Sequence, residues 1–280
     1  MKVLIVGARG MLGQELAAAF GTWEPVLWDR EQCDITNRST VERMVGELKP
    51  DMVLNAAAYN DVDGAEQNGA LAQQLNAEAP GYLAAAVRAS GGILVHYSTD
   101  YVFRGDEQRG YSEEAQPDPQ SIYAHSKFAG EQAVQNSGAQ YYLIRLSRLF
   151  GRPAASATGK KSFVDTMLQL ATTRESVDAV DEELSCPTYA PDLARQTKFI
   201  VEQKMPFSTY HVTNSGACTW YGLAKEIFSQ CGVRATLNPV PAGKFPRPAA
   251  RPRYSALLNT KLPPLRPWQD ALAEYLVQEK

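Results

Sequence analysis

The 280-residue sequence has no excess of positive charge: 28 Lys+Arg stand against 31 Asp+Glu, a formal net charge of −3 with a pI near 5.7. That excludes a protein that lives on nucleic-acid backbone electrostatics, which demands a basic face. No stretch approaches the roughly 20 consecutive apolar residues of a membrane span, so no membrane partner is expected. Cysteine is sparse, and Cys33, Cys186, Cys218 and Cys231 include no C-x-x-C pair. Reduced thiols fit this spacing better than a disulfide frame or a zinc site. The histidines are His96, His125 and His211, without metal-ligand spacing, and packing or surface roles are expected for them. Met1-Lys2 leads straight into Val3-Leu4-Ile5-Val6, with no basic n-region or small-residue cleavage site. No secretory leader is expected, and the cytoplasm is the expected compartment.

What the chain does have is ordinary globular composition, 44% hydrophobic and 21% charged, at a length that suits two domains or one α/β core with an added lobe. Lys2 to Val6 reads as a strand, Gly7 to Gly13 as a tight turn and the residues through Phe20 as a helix. The unit recurs: strands at Pro25 to Trp28, Met52 to Leu54, Gly92 to Tyr97 and Tyr141 to Leu146, with helices at Ser39 to Leu48, Leu71 to Ala89 and from Pro119 to about Gln135. Alternation of this kind specifies an α/β fold with a doubly wound parallel sheet and right-handed crossovers. The pattern loosens after Gly151. A helix is expected to open at Gly159-Lys160-Lys161, another after Pro191, and two more at Trp220 to Ser229 and Trp268 to Val277, around a Pro-rich stretch from Pro239 to Pro252. The expected division is residues 1–150 as a dinucleotide-binding domain and 151–280 as a smaller, mixed substrate-binding lobe, interleaved with it because no linker separates them.

Gly7-x-x-Gly10-x-x-Gly13 follows the first strand and opens a helix, the setting in which a pyrophosphate approaches backbone N–H groups at a helix N-terminus. Its spacing differs from the commonest G-x-G-x-x-G fingerprint. Arg9, Met11 and Leu12 fall inside the same turn. Asp29-Arg30 ends the second strand, where an acid meets an adenosine ribose and a basic residue meets a 2′-phosphate. Asp29 argues for NAD, Arg9 with Arg30 for NADP, and the cofactor type stays open. Asp34-Ile35 lies at the next turn, either beside an adenine amine or as a plain turn aspartate. Ala56, Ala57 and Ala58 after Asn55 suit a cofactor lying against backbone, or simply strand–helix packing.

The fourth strand ends in Ser98-Thr99-Asp100-Tyr101-Val102-Phe103, which brings hydroxyls to the edge where open α/β sheets bind ligands. Tyr123-Ala124-His125-Ser126-Lys127 is the sharpest feature. On a helix its phenol and ammonium share one face. A free tyrosine, of pKa near 10, is about 0.1% ionised at neutral pH, and a cation nearby lowers a pKa by about 1–3 units. Lys127 is therefore expected to make Tyr123 a better proton donor. The basic run from Lys244 to Arg253 is either a surface loop or a partner for a diphosphate.

Together the glycine turn, Ser98 to Phe103 and Tyr123-x-x-x-Lys127 resemble the extended short-chain dehydrogenase/reductase superfamily. Within it the chain is similar to the dTDP-4-dehydrorhamnose reductase family, along nearly its whole length, through Asn55 to Tyr59 with Val62 to Glu66, Cys186-Pro187-Thr188 with Asp192-Leu193-Ala194, and Arg251 to Ser255 with Leu258-Asn259. The resemblance implies a Rossmann-type fold and NADPH- or NADH-dependent reduction of the C4 ketone of a dTDP-6-deoxy-4-keto sugar by a monomer or homodimer. It implies catalytic Thr99, Tyr123 and Lys127, with Lys127 also on the nicotinamide ribose, and substrate contacts at Thr99 and Asp100; Arg148, by its departure from the family pattern, and Arg251, by its phosphate-matching fork, are expected to meet the substrate too. Three departures stand out. Ser147-Arg148 replaces the family's Ser-Trp, which removes an aromatic wall beside the sugar; Ser162-Phe163 replaces Asn-Phe; and Pro191 stands where a second glutamate would join Glu15 in holding magnesium between subunits. A magnesium-bridged dimer is therefore not expected, and the use of magnesium stays open. Two alternatives stay open: another nucleotide-sugar reductase or epimerase, and a non-catalytic NADP-binding subunit resembling the regulatory subunit of methionine adenosyltransferase.

Overall fold

Val3–Val6 (β1) and Met52–Asn55 (β3) are buried at every position, as expected of strands covered on both faces. With Val26–Trp28 (β2), Ile93–Thr99 (β4) and Gln140–Leu146 (β5) they build most of a parallel sheet. The structure, a computed structural model, describes residues 1–155 and 161–278. The helices of this half are α1 (Met11–Ala19), α2 (Arg38–Leu48), the short α3 (Val62–Ala65) and α4 (Gly69–Gln73), α5 (Ala79–Ser90) and α6 (Ile122–Gln135). Then follow β6 (Leu149–Phe150), α7 (Phe163–Thr173), β7 (Ser176–Val180), β8 (Leu184–Ser185), β9 (Thr188–Tyr189), α8 (Ala190–Glu202), β10 (Thr209–His211), β11 (Cys218–Thr219), α9 (Trp220–Cys231), β12 (Thr236–Val240) and α10 (Trp268–Gln278).

The six-stranded sheet has the order β10-β5-β4-β3-β1-β2. The chain winds outward from β1 in both directions, so a crevice opens at the carboxyl ends of β1 and β3, where doubly wound sheets take their ligands. One face is packed by α1 and α8 through Leu12, Leu16, Leu193 and Ile200, the other by α2 and α5 through Val41, Val45, Leu83 and Val87. The expected Rossmann-type architecture is thus the observed one. The second half pairs β7 with β12 and β6 with β9 in parallel, and β8 with β11 antiparallel, around a core of Phe150, Tyr189, Leu223, Ile227 and Leu272. The chain crosses the expected division at residue 150: β10 supplies the sixth strand and α8 covers α1. No helix of the described residues is long and apolar enough to cross a membrane.

Three boundaries differ from the sequence reading. The helix expected over Leu71 to Ala89 is interrupted by a π-helical turn at Gln74–Glu78, because Pro80 at the start of α5 has no N–H and its ring crowds the preceding turn. The helix expected from Pro119 starts at Ile122, with the Ser121 side chain capping the Ala124 N–H. Gly159 and Lys160 lie outside the described residues; α7 starts beyond them, at Phe163, behind a capping box formed by Ser162 and Asp165.

Candidate active site

At the end of β1, Gly7 adopts φ +77°, and a Cβ there would lie 2.7 Å from the Ala57 nitrogen. A Cβ on Gly13 would lie 2.1 Å from the Gly7 carbonyl oxygen. The two glycines let β1, the turn and α1 approach too closely for any side chain. Gly10, the N-cap of α1, supplies no side-chain cap to the first turn of Met11, Leu12 and Gly13. An uncapped N-terminus at a parallel sheet's carboxyl edge attracts anions.

The Asp29 carboxylate accepts the Arg9 backbone N–H at 2.9 Å, while the Arg9 guanidinium grips Glu31 at 3.0 and 3.1 Å. Arg30 extends into solvent, 3.9 Å from Asp34. Asp34 itself accepts the Thr36 N–H and hydroxyl at 3.0 and 2.7 Å, the arrangement of a turn aspartate. Those bonds hold its carboxyl below its ordinary pKa. Ile35 is packed into the core beside Val41. Ala56 bonds back to β1 through its N–H (2.9 Å), and the Ala57 N–H reaches the Asn55 side chain at 3.3 Å, so Ala56, Ala57 and Ala58 form a turn with little side-chain bulk. His96 sits behind it, Nδ1 3.2 Å from the Asn55 amide nitrogen. Burial first, and the Lys127 charge second, hold this imidazole neutral.

Thr99 ends β4 and Tyr123 enters from α6, its phenol close enough for the Thr99 hydroxyl to act on it. The Tyr101 ring meets the Tyr123 ring edge-on at 6.0 Å. Lys127, one turn along α6, is buried and donates to the Tyr97 carbonyl at 2.6 Å. The shared face expected from the i,i+4 spacing is present. The expected electrostatics differ. Burial pushes the Tyr123 phenol up to about 12, with Thr99 pulling down and Asp100 pushing up more weakly. Lys127 falls to about 8, again through burial, offset in part by Glu131. With the ammonium anchored on a backbone carbonyl, desolvation outweighs any lowering of the phenol by Lys127.

Several residues that the sequence reading passed over hold this face in place. Asn76, in the π-helical turn, accepts the Tyr59 N–H at 2.8 Å and donates to the Tyr59 carbonyl and the Ser126 hydroxyl, both at 3.0 Å. It joins the loop after β3 to α6. Glu131 and Arg145 form a buried two-pronged pair, at 2.9 and 2.6 Å, that ties α6 to β5. A polar residue four positions before a proline in an apolar helical run was the one signal for Asn76. Nothing local marked the pair.

The other expected contacts lie on the lobe side. Asp100 is buried and bonded to Thr99, Ser185 and Ser255. Arg148 donates to the Cys218 and Glu183 carbonyls at 2.7 and 2.6 Å, and its guanidinium lies 3.9 Å from the centre of the Trp220 ring. An aromatic therefore does stand beside residue 148, supplied by α9 instead of β5. Arg251 pairs with Asp63 at 2.7 Å and Lys244 with Asp178 at 2.9 Å, while Arg247 pairs with Glu183. Glu15 lies 3.4 Å from Arg152.

The family model described as "RmlD substrate binding domain" matches residues 1–280. The chain is 38% identical to the dTDP-4-dehydrorhamnose reductase of Mycobacterium tuberculosis, over 98% of this chain and 92% of that one. It is also 38% identical to a probable dTDP-4,6-dihydroxy-2-methyloxan-3-one 4-ketoreductase of Streptomyces antibioticus, with 98% and 94% covered. Among solved structures, the dTDP-4-dehydrorhamnose reductase of Bacillus anthracis in complex with NADP superposes with a TM-score of 0.93 at 35% identity, covering 99% of this chain and 100% of that one. Sequence and fold agree along the whole length, and the chain belongs to the dTDP-4-dehydrorhamnose reductase family.

Proposed function

We propose that this chain reduces the C4 ketone of a dTDP-linked 4-keto-6-deoxy sugar, as in conversion of dTDP-4-dehydrorhamnose to dTDP-L-rhamnose, using NADPH or NADH. The observation that carries the reading is the Thr99 and Tyr123 hydroxyl pair at the carboxyl end of β4, with Lys127 buried one helical turn behind it. A dinucleotide fits beside it, since Gly10 leaves the first turn of α1 without a side-chain cap, and Gly7 and Gly13 let β1 and α1 pack closely enough to hold that turn at the carboxyl edge of the sheet. Gly7, Arg9, Gly10, Met11, Leu12 and Gly13 would hold its pyrophosphate and Asp29 with Arg9 or Arg30 its adenosine ribose. Ala56 to Ala58, Tyr123 and Lys127 would flank the nicotinamide end. Bound there, the cofactor supplies a hydride.

The protein's own part is proton delivery. At neutral pH the Tyr123 phenol retains its proton, and an oxygen that gains charge at C4 is more basic than a phenolate. The proton therefore moves from Tyr123 to that oxygen, with Thr99 beside the pair. The Tyr123 contact strengthens as charge develops and so favours the transition state over the bound ketone. Arg251 keeps N–H donors beyond those spent on Asp63 and the Ala249 carbonyl, which suits a diphosphate oxygen. Arg148 at the end of β5 favours a second reading, in which the dTDP sugar is a 4-keto-6-deoxy sugar other than dehydrorhamnose.

The test is oxidation of NADH and NADPH with a panel of dTDP-4-keto-6-deoxy sugars, followed by loss of reduced-nicotinamide absorbance. Tyr123→Phe should lower turnover by about 10²–10⁴-fold with dinucleotide binding retained. Equal turnover in the variant refutes the role of Tyr123. Tight dinucleotide binding without turnover of any sugar refutes the reductase reading and favours the regulatory-subunit alternative.

A further inference from the structure

The Asp100 carboxylate is committed before any substrate arrives. Its Oδ1 accepts the Thr99 hydroxyl at 3.1 Å; its Oδ2 accepts the Ser185 hydroxyl at 2.9 Å and the Ser255 hydroxyl at 2.6 Å. A carboxylate offers about four lone-pair sites, and three are occupied by donors that are themselves buried. Those donors come from three places: Thr99 from the end of β4, Ser185 from β8 in the lobe, and Ser255 from the segment after the Pro-rich stretch, 155 residues further along the chain than Asp100. The backbone agrees, because the Ser255 N–H donates to the Leu184 carbonyl at 2.8 Å and the Leu184 N–H to the Arg253 carbonyl at 2.8 Å.

The consequence falls on Thr99. A hydroxyl has one proton, and here Asp100 takes it. The same oxygen accepts the Tyr101 N–H at 3.2 Å. What Thr99 turns toward Tyr123 is therefore set by Asp100, and the position of Asp100 is set by Ser185 and Ser255. We infer that Asp100 is a positioning residue, one that fixes the Thr99 hydroxyl against Tyr123 and joins it to the substrate lobe, and that Ser185 and Ser255 act through it. This departs from the sugar contact implied by the resemblance, and it rests on the reductase reading above.

The test compares wild type, Asp100→Asn, the double variant Ser185→Ala/Ser255→Ala and the combination of all three. Charge-assisted hydrogen bonds of this kind correspond to about 10–100-fold in rate. The serine pair should lower kcat by about that factor with KM for the dTDP sugar and the dinucleotide Kd held within about twofold. The combination should be no worse than Asp100→Asn alone, as for groups acting as one unit. Ser185→Thr/Ser255→Thr, which restores both hydroxyls, should recover kcat. An unchanged kcat in the serine pair, or a KM raised tenfold with kcat retained in Asp100→Asn, overturns the assignment in favour of a bystander or a sugar ligand. Amide exchange gives a readout that needs no turnover: Asp100→Asn should expose residues 99–101, 184–186 and 254–256 together, and independent or unchanged exchange overturns the assignment. If wild type turns over none of the sugars, the reductase reading falls, and amide exchange alone decides whether Asp100 joins these segments.

Discussion

Replacing Gly130 by alanine sets two magnitudes against each other. In a helix interior alanine is favoured over glycine by about 1 kcal/mol. Yet a Cβ at Gly130 would lie 2.0 Å from the Asn76 carbonyl oxygen and 3.1 Å from its carbon. Backbone cannot rotate away as a side chain can, so α6 and the π-helical turn must part by about 1 Å to restore ordinary contact. Overpacking costs about 1–3 kcal/mol, and with backbone on both sides the upper half applies, leaving a net loss of about 1–2 kcal/mol. At about 2–4 °C per kcal/mol for chains approaching this size, the melting temperature should fall by several degrees. The rate should suffer more, because α6 carries Tyr123 and Lys127 and a misplacement of about 1 Å costs about 10²-fold. Thermal unfolding and steady-state kcat measure the two effects. Gly46 in α2 is the control: a Cβ there meets nothing within 4 Å, so Gly46→Ala should raise stability by up to about 1 kcal/mol without changing kcat. A Gly130→Ala enzyme that melts above wild type with kcat intact refutes the argument.

Other consequences are as open to measurement. Burial lowers Lys127 from 10.5 to about 8, so between those pH values the unfolded chain holds a proton that the folded chain has released. Stability should rise with pH across that window relative to Lys127→Met, on the order of 3 kcal/mol; a flat difference in unfolding free energy contradicts the burial argument. Arg30→Ala should weaken NADPH about 10–100-fold more than NADH if Arg30 meets the 2′-phosphate, and equal losses in Kd remove that contact. Glu31→Gln frees the Arg9 guanidinium and should shift preference toward NADPH by about tenfold, read from the ratio of kcat/KM values. Arg148→Lys forfeits the fork to the Cys218 and Glu183 carbonyls and the stacking on Trp220, a loss of about 2–3 kcal/mol in denaturant unfolding; unchanged stability contradicts that account.

The parallel sheet was legible because its strands are short apolar runs between turn signals, and the glycine turn was legible because it follows the first of them. Tyr123 and Lys127 were legible because their spacing is local. Electrostatics was not, since spacing says which groups are near but not how dry their surroundings are; desolvation reversed the expected direction at Tyr123. Ile35 reads as a cofactor contact from its place after Asp34, and with its side chain packed in the core only its backbone is left for such a contact. Asn76, Ser185 and Ser255 act through partners 17 to 155 residues away, and a single sequence carries no mark of such pairs. At residue 148 the departure from the family pattern was visible, while the compensating Trp220, 72 positions later in the sequence, was visible only once the start of α9 was folded against the turn after β5.

The return of the chain to its first sheet governs how it can be made. The first 150 residues contain five of the six strands, but the side of the sheet that α8 and β10 cover stays wet until Tyr210 and Val212 arrive. A nascent chain halted at residue 150 therefore displays Val95, Tyr97, Tyr142 and Ile144 to water, beside the unpaired backbone edge of β5. Neither half is a transferable module: chimaeras or split versions joined at that point should aggregate, whereas a break in a surface loop that leaves α8 and β10 in the same polypeptide as β5 should be tolerated.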